Sequence, residues 1–264
     1  MVETDGKAHG TQAIRRAAGM LRFVASGSGA GVSLNDVSKA MELSRSTAHR
    51  ILKCLVEEGL LETDETGRRY RVGALTYELG LAASGRRLEV LRWRDTVDRL
   101  GRETGATMYL MGRTGLDSVC LYKADGTGVV RVFPVEVGQR RPLGVGAGAT
   151  ALLAGAPDDE VDRILAAIAP ELGAYPSITA ETIRADIAKA RRTGVAESLG
   201  QVVSEAYGLG VAIPSGQGAG TLALSLAAHR SLAVPERTAV WKRLLLEAAR
   251  TPHQEGAVDV HNDL

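Results

Sequence analysis

The stretch SRSTAHRILKCL, residues 44–55, carries three cations and no carboxylate. At 3.6 residues per turn, Ala48, Ile51, Leu52 and Leu55 fall on one side of a helix, and Ser46, Arg50 and Lys53 on another. A helix of this kind packs through its apolar side and offers small polar and cationic groups to a partner. Ser44 is placed to cap it, because a serine hydroxyl accepts from an otherwise unpaired first-turn amide, and the helix then begins at Arg45.

The flanking segments narrow the choice of partner. QAIRRAAGMLRFVAS repeats Ile14, Ala18, Leu21 and Ala25 at helical spacing and stops at the breaker GSGAG. SLNDVSKAM opens with Ser33 and Asp36 in a capping signature, ahead of Leu34, Val37 and Met41. The turn ELS then leads into the cationic helix. After it, GLLETDETGRRYRVG reads as two strands around Asp64-Glu65-Thr66-Gly67, with Tyr70 and Val72 alternating against Arg69 and Arg71. Three helices and a hairpin in this order imply a winged helix-turn-helix, whose third helix enters the major groove of double-stranded DNA.

An isolated helix with Arg and Lys on one side usually just faces water. Here the capped helix before it, the missing acids and the arginine-bearing hairpin after it favour DNA. The candidate contact set is Ser44, Arg45, Ser46, Thr47, His49, Arg50 and Lys53, joined by Arg68 and Arg69 of the wing. Arg50 is expected at a base edge, Lys53 at a phosphate and His49 at either; strand alternation turns only one wing arginine toward the recognition surface.

Composition sets outer limits. With 264 residues and 45% hydrophobic content, the chain is long enough for two modest domains or one large one. A formal charge of +1 exerts no global pull toward nucleic acid or membrane, so the local cluster carries the case. Cys54 and Cys120 are too few for a disulfide framework or a four-thiolate zinc site, and both are expected in apolar cores. No apolar run approaches the roughly 18 residues of a membrane span. MVETDGKAHGTQ lacks the apolar core of a signal peptide, so a soluble, cytoplasmic protein is expected.

Beyond Thr104, strand-like segments (ATMYLMGRTGLDSVCLYKADG, GVVRVFPVEVG, GLGVAIP, GTLALSLAAH) interleave with helical ones (GATALLAGAPDDEVDRILAAI, TAETIRADIAKARRTG, PERTAVWKRLLLEAARTP), the mark of an α+β domain. GAGATA, residues 146–151, formally matches the dinucleotide fingerprint G-x-G-x-x-G/A. GQRRP precedes it where a hydrophobic strand should stand, so a nucleotide-binding oxidoreductase is only the alternative reading. Of the histidines, His9, His253 and His261 lie in polar termini, His49 is on the cationic helix and His229 ends a strand. None has a metal-ligand neighbour or a nucleophile setting, so no catalytic residue, metal or cofactor is expected. A pure protein-interaction module would leave the cationic helix unexplained.

Five segments, SLNDVSKAMELSRSTAHRILKCLVEEGLLE, YRVGALTYELG, RPLGVGAGATALLAG, GLGVAIP and GTLALSLAA, together make the sequence resemble the IclR family of bacterial transcription regulators over nearly the whole chain. The resemblance implies a winged helix-turn-helix over 11–73, a linker helix over 74–86 and a GAF-like effector-binding domain over 87–252; the polar ends are expected to form a flexible arm over 1–10 and a disordered tail over 253–264. It also implies dimers or tetramers. ALTYELGLAASG, with Leu75, Leu79 and Leu81, is the candidate dimer surface, and a dimer would meet a palindromic operator.

Carried over by motif, the family's effector pocket falls on Gly146, Ala147 and Gly148 at a helix start and on Leu209, Gly210, Ser225 and Ala227 of late strands. Exposed amides at a helix start attract a carboxylate, so a small organic acid is the expected effector. Ser225 would donate its hydroxyl proton, and Arg131 is the nearest cation in sequence. Gly210 and Ala227 stand where some members carry a cysteine and a serine, and the AESLGQVVSEAYGLG loop has Gln201 near a common glutamate. A larger or more apolar pocket follows, and no zinc site, since the thiol is absent. The expectation is a ligand-responsive transcription regulator, with repression or activation left open.

Overall fold

The computed structural model describes residues 6–27, 30–128, 135–214 and 221–250. The chain divides between Arg87 and Leu88 into two compact units.

In the first unit, α1 (Gly6–Ser26), α2 (Leu34–Ala40) and α3 (Arg45–Glu57) pack around Met20, Val37, Ala48 and Leu52. α1 starts inside the stretch expected to be a loose arm. Ser33 caps α2 through the expected reciprocal pair with Asp36. The turn to α3 is tight enough to hold Glu42 at φ +51°, a left-handed conformation few non-glycine residues adopt. Behind α3, β2 (Leu61–Thr63) and β3 (Arg69–Val72) form the hairpin. A two-residue strand, β1 (Val32–Ser33), adds to β3 and gives a sheet of order β1-β3-β2. Leu61 and Tyr70 turn inward to seal the core. Val72, expected to share Tyr70's buried side, is exposed, because the helical core ends at Tyr70.

The expected linker is two helices broken at Ala83: α4 (Ala74–Ala82), and α5 (Ser84–Thr104), whose length belongs mostly to the second unit. No residue of α4 is buried, and Tyr77 is 70% exposed.

The second unit is a six-stranded sheet of order β6-β5-β4-β9-β8-β7, and every pairing in it is antiparallel. Its strands are β4 (Thr107–Thr114), β5 (Asp117–Ala124), β6 (Arg140–Pro142), β7 (Ala196–Leu199), β8 (Ala206–Ala212) and β9 (Leu222–His229). One face packs α5 and α9 (Pro235–Arg250) through Val97, Leu100, Leu224, Leu226 and Trp241. The other face carries α6 (Ala147–Ala154), α7 (Asp158–Leu172) and α8 (Ala180–Thr193) over Met111, Ala223 and Ala227. Period-2 alternation divides the strands between the faces: on β9, Ala223 and Ala227 go to one core, and Leu222, Leu224 and Leu226 to the other.

Several expectations are corrected. Residues 148–168 are not one helix, since Gly155-Ala156-Pro157 ends α6 and starts α7, proline lacking the donor a continuing helix needs. The segment from Ala196 to Gly210 is not a loop but β7 and β8 joined by a short turn. Most of the strand expected at GVVRVFPVEVG, with the tail after Arg250, lies outside the described residues.

Candidate DNA-binding face and effector cavity

α3 presents its side chains much as helical periodicity predicts. Ala48, Leu52 and Leu55 are buried, Ile51 is half-buried, and Arg45, Ser46, His49, Arg50 and Lys53 are exposed. Ser44 accepts from the Thr47 amide at 3.2 Å and donates to the Thr47 hydroxyl at 2.9 Å. These two hydroxyls therefore fix the helix start before they meet any partner. Two features were missed. Glu57 lies two residues beyond the acid-free stretch, one turn from Lys53, and pairs with it at 3.6 Å. Cys54, expected in the core, is exposed, because it follows Lys53 around the helix away from the Leu52–Leu55 seam.

In the wing, the Asp64 carboxylate accepts from the amides of Arg68 and Arg69, which draws its pKa below the usual range although desolvation opposes this. The two arginines differ in employment. Arg69 donates through Nη1 to the Gly31 carbonyl at 2.9 Å, bracing the hairpin against the α1–α2 connection, whereas Arg68 stands exposed at the turn.

The second unit holds a cavity of about 60 Å³. A cavity needs roughly 10–15 Å³ to hold one water, whose share of liquid volume is about 30 Å³, so this one has room for a few water-sized groups. Gly146, Ala147, Gly148, Ser225 and Ala227 line it, as the sequence suggested. Gly146 is the N-cap of α6 at φ +88°, and no side chain caps that helix start. Its first-turn amides are thus left to the cavity or to water.

Leu209 and Gly210 do not line it. Leu209 is fully buried on the opposite face of the sheet, one residue out of phase with the cavity. Gly210 is on the right face but is covered: a Cβ there would overlap the Ala147 carbonyl, so the start of α6 rests directly on the β8 backbone. Gly148 is similar, since its Cβ would lie 2.8 Å from Met111 Cγ and 3.0 Å from Ser225 Cβ. Two of the expected ligand glycines are therefore packing glycines. Ser225 is buried and donates to the Leu209 carbonyl at 2.9 Å, so its proton is engaged and its lone pairs are what it can offer.

The cavity's strongest polar groups were not anticipated. Arg141 comes from β6, and its Nη1 lies 3.9 Å from where a Gly146 Cβ would stand. Burial lowers its pKa, yet a guanidinium keeps its charge. Tyr109 of β4 is 3% exposed, and its hydroxyl has no hydrogen-bond partner among the described residues. Burial pushes its pKa up, so the phenol stays neutral. Behind it, burial raises the Cys120 thiol to about 12, and the residue is an inert core thiol as expected. Arg131, the cation proposed from sequence, lies outside the described residues. Gln201 lines the cavity and donates to Asp186 of α8 at 3.0 Å, tying the turn over the cavity to that helix.

Residues 13–65 match the model of the IclR helix-turn-helix domain, and residues 87–254 match that of the bacterial transcriptional regulator IclR C-terminal domain. The second match alone spans more than half of the chain. The chain belongs to the IclR family. The glycerol operon regulatory protein of Streptomyces coelicolor is 36% identical over 106 residues, covering 39% of this chain and 40% of that protein, well under two thirds of its length. Among solved structures, the IclR transcriptional regulator of Alicyclobacillus acidocaldarius has a TM-score of 0.72 at 23% identity, covering 90% of this chain and 96% of that one. An IclR homologue of Microbacterium hydrocarbonoxydans, solved in complex with 4-hydroxybenzoate, has a TM-score of 0.69 at 23% identity, covering 90% and 95%. These structures bear on the fold alone, an N-terminal helix-turn-helix followed by an IclR-type α+β domain.

An IclR fold leaves no place for a dinucleotide fingerprint in GAGATA. The motif needs a parallel strand–helix–strand crossover, and the sheet beside it is antiparallel throughout the described residues. Among the described residues no group of His, Cys, Asp and Glu gathers to hold a metal, and no helix is long and apolar enough to cross a membrane.

Proposed function

We propose that this IclR-family chain is a transcription regulator that binds operator DNA through α3 and the wing, under the control of a small organic acid held in the cavity. The observation that carries the reading is that one cavity is lined by Arg141, by the uncapped start of α6 and by Tyr109, whose hydroxyl has no partner among the described residues. A helix N-terminus with a nearby guanidinium stabilises an anion by up to about 2 kcal/mol in a partly buried site. The cavity's size favours a small aliphatic acid over an aromatic one. 4-Hydroxybenzoate, present in the Microbacterium homologue, would require the turn carrying Gln201, Val202 and Val203 to move outward.

On the DNA side, Arg50 reads a base edge, and Arg45, Ser46, His49 and Lys53 position the helix, with Arg68 at the backbone. The exposed Tyr77, Leu79 and Leu81 of α4 make that helix the pairing surface of a homodimer on a palindromic site, and two such dimers side by side would make a tetramer. The effector acts by preferring one of two arrangements of the paired DNA-binding units, because a ligand with equal affinity for both shifts nothing.

A thermal-shift screen of small carboxylates, with 4-hydroxybenzoate included, followed by gel shift on the chain's own upstream DNA, tests this. The expected result is a short aliphatic acid that raises the melting temperature and changes operator affinity. Failure of the full chain to shift any DNA fragment, with or without acids, would refute it.

A further inference from the structure

We infer that Tyr109 is the specificity-determining residue of the cavity, reading a second polar group on an anion anchored at Arg141. The inference rests on the proposed effector role of the cavity and goes beyond it in saying which ligands the cavity distinguishes, and how.

A phenol hydroxyl buried without a partner is unfavourable in the free protein, since it has left water and gained no bond. Neighbouring side chains do not repair this: Ser225 is committed to the Leu209 carbonyl, and Cys120 donates toward the Tyr122 carbonyl. β4 alternation puts Tyr109 on the face where α6, Arg141 and the cavity lie, and it is one of the residues that line the cavity. A ligand polar atom satisfies it, and discrimination of this sort is steep: a site built to hydrogen-bond a hydroxyl rejects the analogue lacking it, because its own buried group is then left unpaired. The helix-start amides and Arg141 would bind any small carboxylate. Tyr109 separates those with a second hydrogen-bonding group from those without.

Propionate, 2-hydroxypropionate and 3-hydroxypropionate share one carbon skeleton and one charge, and differ only in whether and where a hydroxyl stands. Calorimetry on the full chain is expected to give at least one hydroxy acid binding tenfold or more tighter than propionate. Tyr109→Phe is expected to erase that preference to within twofold while leaving propionate unchanged, and Arg141→Gln to weaken all three acids. A second readout needs no ligand. If the hydroxyl is unpaired in the free protein, Tyr109→Phe melts at the same temperature as the wild-type chain or higher.

A lower melting temperature for Tyr109→Phe means that the hydroxyl is a structural partner, and overturns the inference. So does a preference for the hydroxy acids that survives in Tyr109→Phe, or binding of none of the three acids by the wild-type chain. The regulatory reading fails separately. If the hydroxy acid binds with Tyr109-dependent affinity but leaves the gel shift unchanged, the specificity stands and the coupling to DNA does not. If acids alter the gel shift with no dependence on Tyr109, the reverse holds.

Discussion

Arg50 and Arg141 are both arginines assigned above to meet an anion, but the chain places them by different means. Arg50 owes its exposure to neighbours within two turns of its own helix: Ala48, Leu52 and Leu55 take the buried side, and whatever lies opposite faces water. Arg141 stands on a three-residue edge strand, and its cavity draws lining residues from all six strands of the sheet, from the start of α6 and from the turn after β7. A helical face is a local property, whereas a cavity wall depends on sheet order and on which helix covers which face. The difference teaches where a reading from sequence holds and where it needs the fold.

The sharpest break of that comparison is at Gly210. Read by motif it is a ligand contact, but by geometry it is the floor on which α6 rests. Gly210→Ala is expected to destabilise the second unit by about 3 kcal/mol or more, because the new Cβ overlaps backbone that cannot swing away. Gly208→Ala, two residues along the same face, meets the Ala147 Cβ at 3.4 Å and the Leu226 carbonyl oxygen and Ser198 Cβ at 3.6 Å, all ordinary contacts, and is expected to be nearly neutral. Thermal melts of both variants decide it; equal stability would return Gly210 to the list of ligand contacts.

Arg50→Ala comes next. It is expected to weaken operator binding by about 1–3 kcal/mol and to relax one base position of the site, with the melting temperature unchanged. Binding assays across single-base operator variants measure this. A uniform loss over all sequences would make Arg50 a phosphate contact, and the recognition face would have to be rotated.

These cases show what was legible. In the first unit the three helices, their caps, the hairpin and the exposed cationic face follow from spacings of three or four residues and from turn chemistry. What escaped was one turn away, as with the Glu57 partner of Lys53, or depended on where the core ends, as with Val72. In the second unit the motif marked the start of α6, Ser225 and Ala227, all of which line the cavity. Leu209 was legible as an error, since YGLGVA alternates glycine with large apolar residues and period 2 puts Leu209 opposite Gly208 and Gly210. Arg141 and Tyr109 were not legible, because nothing in RRP or TMYLM says that β6 and β4 border one cavity.

Charge pairing repeats the contrast. Glu197 of β7 accepts from Tyr207 of β8 at 2.7 Å and pairs with Lys189 of α8 at 2.6 Å and Lys242 of α9 at 2.8 Å. Burial alone would raise its pKa, but these hydrogen bonds outweigh it and bring the carboxyl down to about 2. The unfolded chain has an ordinary value near 4.3. The contribution is therefore complete above that pH and is lost as pH falls toward 2. Discounted for solvent screening, Glu197→Gln is expected to cost about 1 kcal/mol at neutral pH and to flatten the acid limb of the stability curve between about pH 4.5 and 2. An unchanged acid limb by denaturant melts would show that the cluster contributes nothing long-range.

The wing provides a smaller test within one hairpin. Arg68→Ala is expected to reduce the salt dependence of DNA binding by roughly one phosphate's worth with no effect on melting. Arg69→Ala is expected to lower stability by about 1 kcal/mol through the lost bond to Gly31, with DNA affinity falling only as the hairpin loosens. Interchanged effects would mean that the bond to Gly31 opens in the complex.

The smallest effect concerns whether α3 is as local as it looks. Lys53 and Glu57 pair at 3.6 Å with both side chains about two-thirds exposed, at 67% and 61%, so the pair contributes only about 0.3–0.5 kcal/mol to the helix. On DNA the same carboxylate offsets part of the attraction between Lys53 and a phosphate. Glu57→Gln is therefore expected to leave stability nearly unchanged, to tighten operator binding about twofold and to steepen its salt dependence slightly, whereas Lys53→Ala weakens binding to every sequence and flattens the slope by roughly one. The double variant decides between two accounts. If Glu57 acts only by neutralising Lys53, Glu57→Gln has no effect once Lys53 is alanine. If the tightening persists, Glu57 itself faces the DNA backbone, and the surface that meets DNA extends a full turn beyond the residues that periodicity assigned to it.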